Sequence, residues 1–261
     1  MIIDFHTHCY TPEHAQKALA LIPKGSQFGP FYDGTLDGLK KSMQKNGVDA
    51  SLTLHIANQP EYVQKVNDWA VYCNSQDGIY AFGSLHPKFK DYKSEIARLK
   101  KCGIKGLKFH PYFQYFDVDD KAMYPIYEAA ASEGMAMLFH AGTDIRIIGD
   151  YCMPQRFARF CNDFKGAKIV GAHLGGMLAW DEAFDLLLGK DVYLDTSFAF
   201  RFLTENQRKR LLDCHDPRLI LFGTDGPWVD SKDDLDILKR YISGDSADLI
   251  LYKNAKGLLE I

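Results

Sequence analysis

Residues 93–111 read KSEIARLKKCGIKGLKFHP, and this stretch decides the fold. Its first part sets apolar side chains among charged ones at helical spacing. Gly103 closes it, in the left-handed position that follows many helix ends. Ile104–Phe109 then reads as a short strand, and Pro111 stops it directly after His110. Helix, glycine, strand, histidine: the same order recurs through the chain.

The other strand-like runs are Ile2–Phe5, Ala50–Ile56, Ile79–Leu85, Met135–Phe139, Lys168–Ala172, Val192–Asp195 and Leu219–Phe222. Between them TLDGLKKSMQKNG, EYVQKVNDWAVYCNSQDG and MYPIYEAAASEG are helical, ending at Gly47, Gly78 and Gly134. Strands alternating with helices predict a parallel sheet. Eight such units in 261 residues predict a (β/α)8 TIM barrel, a fold that takes about 250 residues. One α/β domain over residues 1–261 is expected. A doubly wound open sheet is the alternative, but no G-x-G-x-x-G follows the first strand.

Composition narrows the function classes. A hydrophobic content of 46% with 25% charged residues is ordinary for a globular protein with a sizeable core. The net charge of −3, without a Lys/Arg stripe, offers no footprint for nucleic acid. No apolar run approaches a membrane span, and the N-terminus enters a strand without a signal-peptide pattern, so a cytoplasmic location is expected. The 6 cysteines are scattered without a C-x-x-C pair and are expected to be reduced thiols. Cys9, directly after the histidine pair, is expected to pack at a strand-to-loop boundary rather than to bind a metal.

Placed on the barrel, the histidines fall into a pattern. His6 and His8 end strand 1, one residue apart, so strand alternation points them the same way. His55, His86, His110, His140 and His173 end strands 2 to 6, and Asp225 follows strand 8 in LFGTDGPW. Only His14 and His215 lie elsewhere. In this fold the C-terminal strand ends carry the active site. His6, His8, His140 and Asp225 supply three imidazoles and a carboxylate, a set that suits Zn²⁺ with an open position. His55 is expected to be satisfied locally. His86 and His110 each precede proline and read equally as rim residues or as members of the site.

These residues together resemble the amidohydrolase superfamily, in its amidohydrolase-2 branch. The resemblance runs through IDFHTH (3–8), NDWAVYC…IYAFGSLHP (67–87), GIKGLKFHP (103–111), MLFHAG (137–142), IVGAHLGG (169–176), VYLDTS (192–197), LFGTDGPW (221–228) and ILYKNAKGLL (250–259). It implies that His6, His8, His140 and Asp225 bind one divalent metal, Zn²⁺ first, with Mn²⁺, Fe²⁺ or Co²⁺ as alternatives. It implies that Asp225 moves protons and that His173 stands beside the metal against substrate or water. Some superfamily members bridge two metals with a carboxylated strand-4 lysine, so Lys108 with His173 leaves a binuclear site open. A charged partner for an acid or substrate is the expected role of Lys108. A phosphodiester-cleaving barrel is disfavoured, because such relatives carry glutamate on the middle strands. Relatives are often dimers, which leaves a homodimer open.

The loops bear on substrate. After strand 4 comes PYFQYFDVDD, after strand 7 SFAFRF, and Trp228 follows Asp225. Apolar walls with few polar groups suit a small-molecule pocket. Arg146 and Arg201 could each clamp a carboxylate bidentately, or pair with a nearby acid instead. Lys108, His110, Arg146, Arg201 and Trp228 are thus the candidate substrate contacts. The expected function is metal-dependent hydrolysis of an amide, lactone or ester. The alternative is non-oxidative decarboxylation of an unsaturated or aromatic acid, and a non-catalytic metal-binding barrel is the third reading.

Overall fold

The computed structural model describes residues 1–20 and 28–261. Eight parallel strands form one sheet in chain order: β1 Ile3–Thr7, β2 Ala50–Leu54, β3 Ile79–Ser84, β4 Gly106–Phe109, β5 Ala136–Phe139, β6 Ile169–Gly171, β7 Tyr193–Asp195 and β8 Ile220–Leu221. Backbone bonds Phe5 N to Phe222 O, Asp225 N to His6 O and His8 N to Gly226 O join β8 to β1. The sheet thereby curls into a single-domain (β/α)8 barrel. No described helix is long and apolar enough to cross a membrane.

The barrel separates two apolar layers. Ile3, Phe5, Leu52, Leu54, Phe82, Leu138, Val170 and Leu221 fill the interior, and Ala255, Leu258 and Leu259 of the helix Asn254–Leu259 join them. The alternate residues, among them Leu107, Phe109, Met137 and Phe139, pack outward against the helices. Burial of this kind stabilises by roughly 25 cal/mol per Å² of apolar surface.

Strict alternation would turn His6 away from the side that Phe5 faces. Both nevertheless serve the interior, because the register of β1 against β2 slips between Asp4 and Thr7, as at a β-bulge. Asp4, turned aside, accepts from Thr224 N at 3.0 Å and from Thr224 Oγ1 at 2.6 Å. The bulge therefore lets Phe5 pack the core while His6 and His8 line the cavity above it.

Local signals set the helix ends. Thr35 Oγ1 accepts from Gly38 N at 3.0 Å to cap Leu36–Asn46, which ends at Gly47 with φ 70°. Gly78 departs from expectation: the helix Val63–Asn74 ends at Ser75, and Gly78 (φ 71°) turns the chain into β3. Within that helix, buried Asn67 accepts from Ser84 N at 2.7 Å and donates to Ser84 O at 3.0 Å and Glu95 Oε1 at 2.7 Å. It completes the backbone bonding at the end of β3. Asn67→Ala leaves those groups without partners and is expected to lower unfolding free energy by about 2–3 kcal/mol. Urea melts with an unchanged m-value check this.

Candidate metal centre

At the C-terminal ends of the strands, His6, His8, Lys108, His110, His140, His173 and Asp225 open onto one cavity of about 210 Å³. Lys108 reaches it from β4, and His140 from just past the end of β5. His173 reaches it because both it and Leu174 take left-handed conformations after β6 (φ 56° and 57°). Such residues carry a cost of about 1–3 kcal/mol each. Here Asp195 Oδ1 accepts from His173 N at 3.0 Å and Trp180 Nε1 donates to His173 O at 3.1 Å, which hold the turn.

The bonds that each imidazole makes on its far side set its tautomer. His8 Nδ1 faces Leu54 O at 2.9 Å, His140 Nε2 faces Thr143 O at 3.0 Å and His173 Nδ1 faces Ser197 O at 3.0 Å. A carbonyl only accepts, so each of these nitrogens carries the proton. His6 Nδ1 likewise donates to the Asp195 carboxylate at 2.8 Å. The remaining ring nitrogens are therefore lone pairs, and they meet in two sets. His8 Nε2 and His6 Nε2 stand 3.0 and 3.4 Å from Asp225 Oδ1. His173 Nε2 stands 3.1 Å from His140 Nδ1.

Lone pairs facing one another and a carboxylate repel unless a cation lies among them. A proton is a poor candidate: burial pushes His140 down to about 3 and His173 down to about 4, and drives His6 well below its usual range. Neutral imidazoles whose far nitrogens bond carbonyls or carboxylates are the usual donors to a metal. The donors fit a divalent cation: ligand atoms of His6, His8 and Asp225 lie within 4.8 Å of one another, while His140 groups with His110 and Asp144, so His140 and His173 stand beside that triad as further groups that could hold an ion. His6→Ala/His8→Ala is expected to lose the ion, as measured by elemental analysis of protein purified without chelator.

Lys108 is buried, and burial pushes its ammonium down to about 8 while Asp195 and Asp225 draw it back up. His110 stacks on His140 with centroids 4.2 Å apart and on Phe113 at 3.9 Å, the latter rings being 2° from parallel. Phe113 N donates to His110 Nδ1 at 3.4 Å, leaving the proton on Nε2, which lies 3.9 Å from Asp144 Oδ2. The Arg146 guanidinium covers Phe113 at 4.8 Å. Arg146 thus ends a layered stack that starts at the metal centre. Tyr10, Ile56, Met177, Phe198 and Trp228 supply further walls.

Not every candidate joins this group. Arg201 turns to the helix Ser231–Leu238, where its Nε donates to Asp234 Oδ1 at 2.5 Å, and it does not line the cavity. That ion pair is the acid partner left open above. His55 lies 3.0 Å from Thr53 Oγ1, and His86 Nδ1 accepts from Lys88 N at 3.1 Å; neither lines the cavity. Asp195 was not among the residues singled out from sequence. Its carboxylate gathers His6, His173 N and the N–H and hydroxyl of Ser197. An acid closing the apolar run VYL at a strand end was the available signal.

Three solved structures show the same fold. A 5-carboxyvanillate decarboxylase from Sphingomonas paucimobilis superposes with TM-score 0.74 at 14% identity, covering 100% of this chain and 99% of that one. A dihydroxybenzoic acid decarboxylase from Polaromonas sp., with bound manganese and 2-nitroresorcinol, gives 0.75 at 15% identity, covering 99% and 96%. A probable 2-pyrone-4,6-dicarboxylic acid hydrolase from Acinetobacter baumannii, with citric acid bound, gives 0.70 at 14% identity, covering 100% and 99%. No curated protein matches the chain. The family model described as amidohydrolase matches residues 3–261. Barrel, clustered imidazoles and family match agree: the chain belongs to the amidohydrolase family, and its barrel carries side chains that could hold a metal ion.

Proposed function

We propose that the protein is a lyase that removes a carboxyl group, without oxidation, from a small planar aromatic or unsaturated acid. The observation that carries this is the cavity's composition: an aromatic stack of His140, His110 and Phe113 and the apolar side chains Tyr10, Phe198 and Trp228 line it, with Lys108 and Arg146 as its cations. A small ring suits a cavity so lined, and a carboxylate pairs with either cation. The similar structures named as acting on ring acids, carboxyvanillate and dihydroxybenzoate decarboxylases among them, support the same substrate class. They also favour decarboxylation over the hydrolysis expected first from sequence.

A divalent ion at this centre, for which Zn²⁺ and Mn²⁺ both suit the nitrogen and carboxylate donors, would act as a Lewis acid on substrate oxygens. The chain's own groups do the rest. Apolar walls strip water from the departing carboxylate, and Lys108 holds it in place. The C–C bond breaks with its electron pair left on the ring carbon. In a hydroxylated ring acid, Asp225 takes the proton of the neighbouring hydroxyl and returns it to that carbon; CO₂ leaves, and the phenolate takes a proton from water to give the decarboxylated parent. His173 faces the charge that develops meanwhile.

Turnover of hydroxybenzoates and, in parallel, of ring lactones bearing a carboxylate, in D₂O and in ¹⁸O-water, separates the two chemistries. The lyase incorporates one deuterium on carbon and no ¹⁸O into the ring product. A product carboxylate or alcohol bearing ¹⁸O, without CO₂ release, would establish hydrolysis instead. Arg146→Ala is expected to raise KM about 10- to 100-fold for an acid with a second carboxylate, as loss of a charged hydrogen bond implies. A monocarboxylate should be affected far less.

A further inference from the structure

A second group of metal-capable side chains lies outside the cavity. Cys9 follows β1 directly but for His8, His55 follows β2, and Cys73 sits in the helix Val63–Asn74. All are buried, none lines the cavity, and one donor atom from each lies within 4.8 Å of the others. The sulfurs of Cys9 and Cys73 are 3.7 Å apart. Thr53 Oγ1 stands 3.0 Å from His55 and donates to Tyr80 O at 3.1 Å, and its hydroxyl also approaches both thiols.

We infer that Cys9, His55 and Cys73, with the Thr53 hydroxyl, form a second metal site for a soft d¹⁰ divalent ion such as Zn²⁺. With metal–sulfur bonds of about 2.3 Å, a tetrahedron has a sulfur–sulfur edge of about 3.8 Å, close to the 3.7 Å between these thiols. A disulfide would need about 2 Å. Two thiolates around a divalent ion are neutral together, so no net charge is buried. Binding breaks two S–H bonds, forms two metal–sulfur bonds and releases two protons, with no change of oxidation state.

The site's position gives it a task. Cys9 is bonded to His8, and His55 is bonded to Leu54, whose carbonyl accepts the Nδ1 proton of His8. An ion there ties together the two segments that aim His8 at the cavity. It shares no donor atom with the His/Asp centre and does not rest on the proposed reaction.

The test uses a Cys102→Ser/Cys214→Ser background, which removes the exposed thiols. Cd²⁺ is added over a long incubation, and bound metal and ultraviolet absorption are measured. The background protein should bind two equivalents, one of which brings the thiolate-to-cadmium charge-transfer band. Adding Cys73→Ser should remove the band and one equivalent while the other remains. X-ray absorption of the unsubstituted protein loaded with two equivalents of Zn²⁺ should find, on average, one sulfur per zinc, and this decides the matter if Cys73→Ser does not fold. Absence of the band, its survival in Cys73→Ser, or a sulfur-free zinc environment would overturn the inference.

Discussion

Asp225→Asn is expected to lower kcat by about 10²- to 10⁴-fold, the usual worth of a positioned proton-transfer group. The substitution isolates chemistry from shape. Asp225 has φ 71°, a left-handed conformation that asparagine also accepts well, so the backbone after β8 should persist. The amide keeps an oxygen toward His6 and His8 but loses the charge and the ability to carry a proton. Steady-state rates together with metal content separate the two losses. If the variant retains full activity on an identified substrate, the proton-handling role assigned to Asp225 is wrong.

Asp195→Ala should produce the largest combined effect on metal affinity and stability. The side chain is fully buried and accepts from His6 Nδ1, His173 N, Ser197 N and Ser197 Oγ. Removing it strands these donors, and breaking a buried charged network typically costs about 3–5 kcal/mol. It also frees His6 to change tautomer. Loss of such a supporting partner weakens metal binding by about 10- to 100-fold. Calorimetric melting and competitive metal titration read the two effects separately. Unchanged metal affinity in a folded variant would show that Asp195 does not orient His6.

Much of this arrangement was legible in the chain. Apolar runs of 4 to 7 residues, most of them following a glycine, placed all eight strands, because a strand buried on both faces needs such a run. Ends were less legible. Ile104 and Lys105 precede β4, because Gly103, at φ 83°, is still turning the chain out of the preceding helix. Alternation put His6 and His8 together, yet it could not show the slip between Asp4 and Thr7 that gives Phe5 and His6 the same side. The left-handed pair His173–Leu174 carries no glycine to betray it. Arg201 was ambiguous because its partner, Asp234, lies 33 residues away on another helix. Tertiary partners, rather than local patterns, decide such positions.

The joining of β8 to β1 has a consequence for how the protein is made. His8 and Asp225, 217 residues apart, meet at the one seam of the barrel that no local pairing can close. β1 is made before β8, so its open edge waits while the strands between them are synthesised. Such an edge invites pairing with another molecule while synthesis continues. An ion held between these ends would act as a clasp, coupling capture of the cofactor to closure of the last seam.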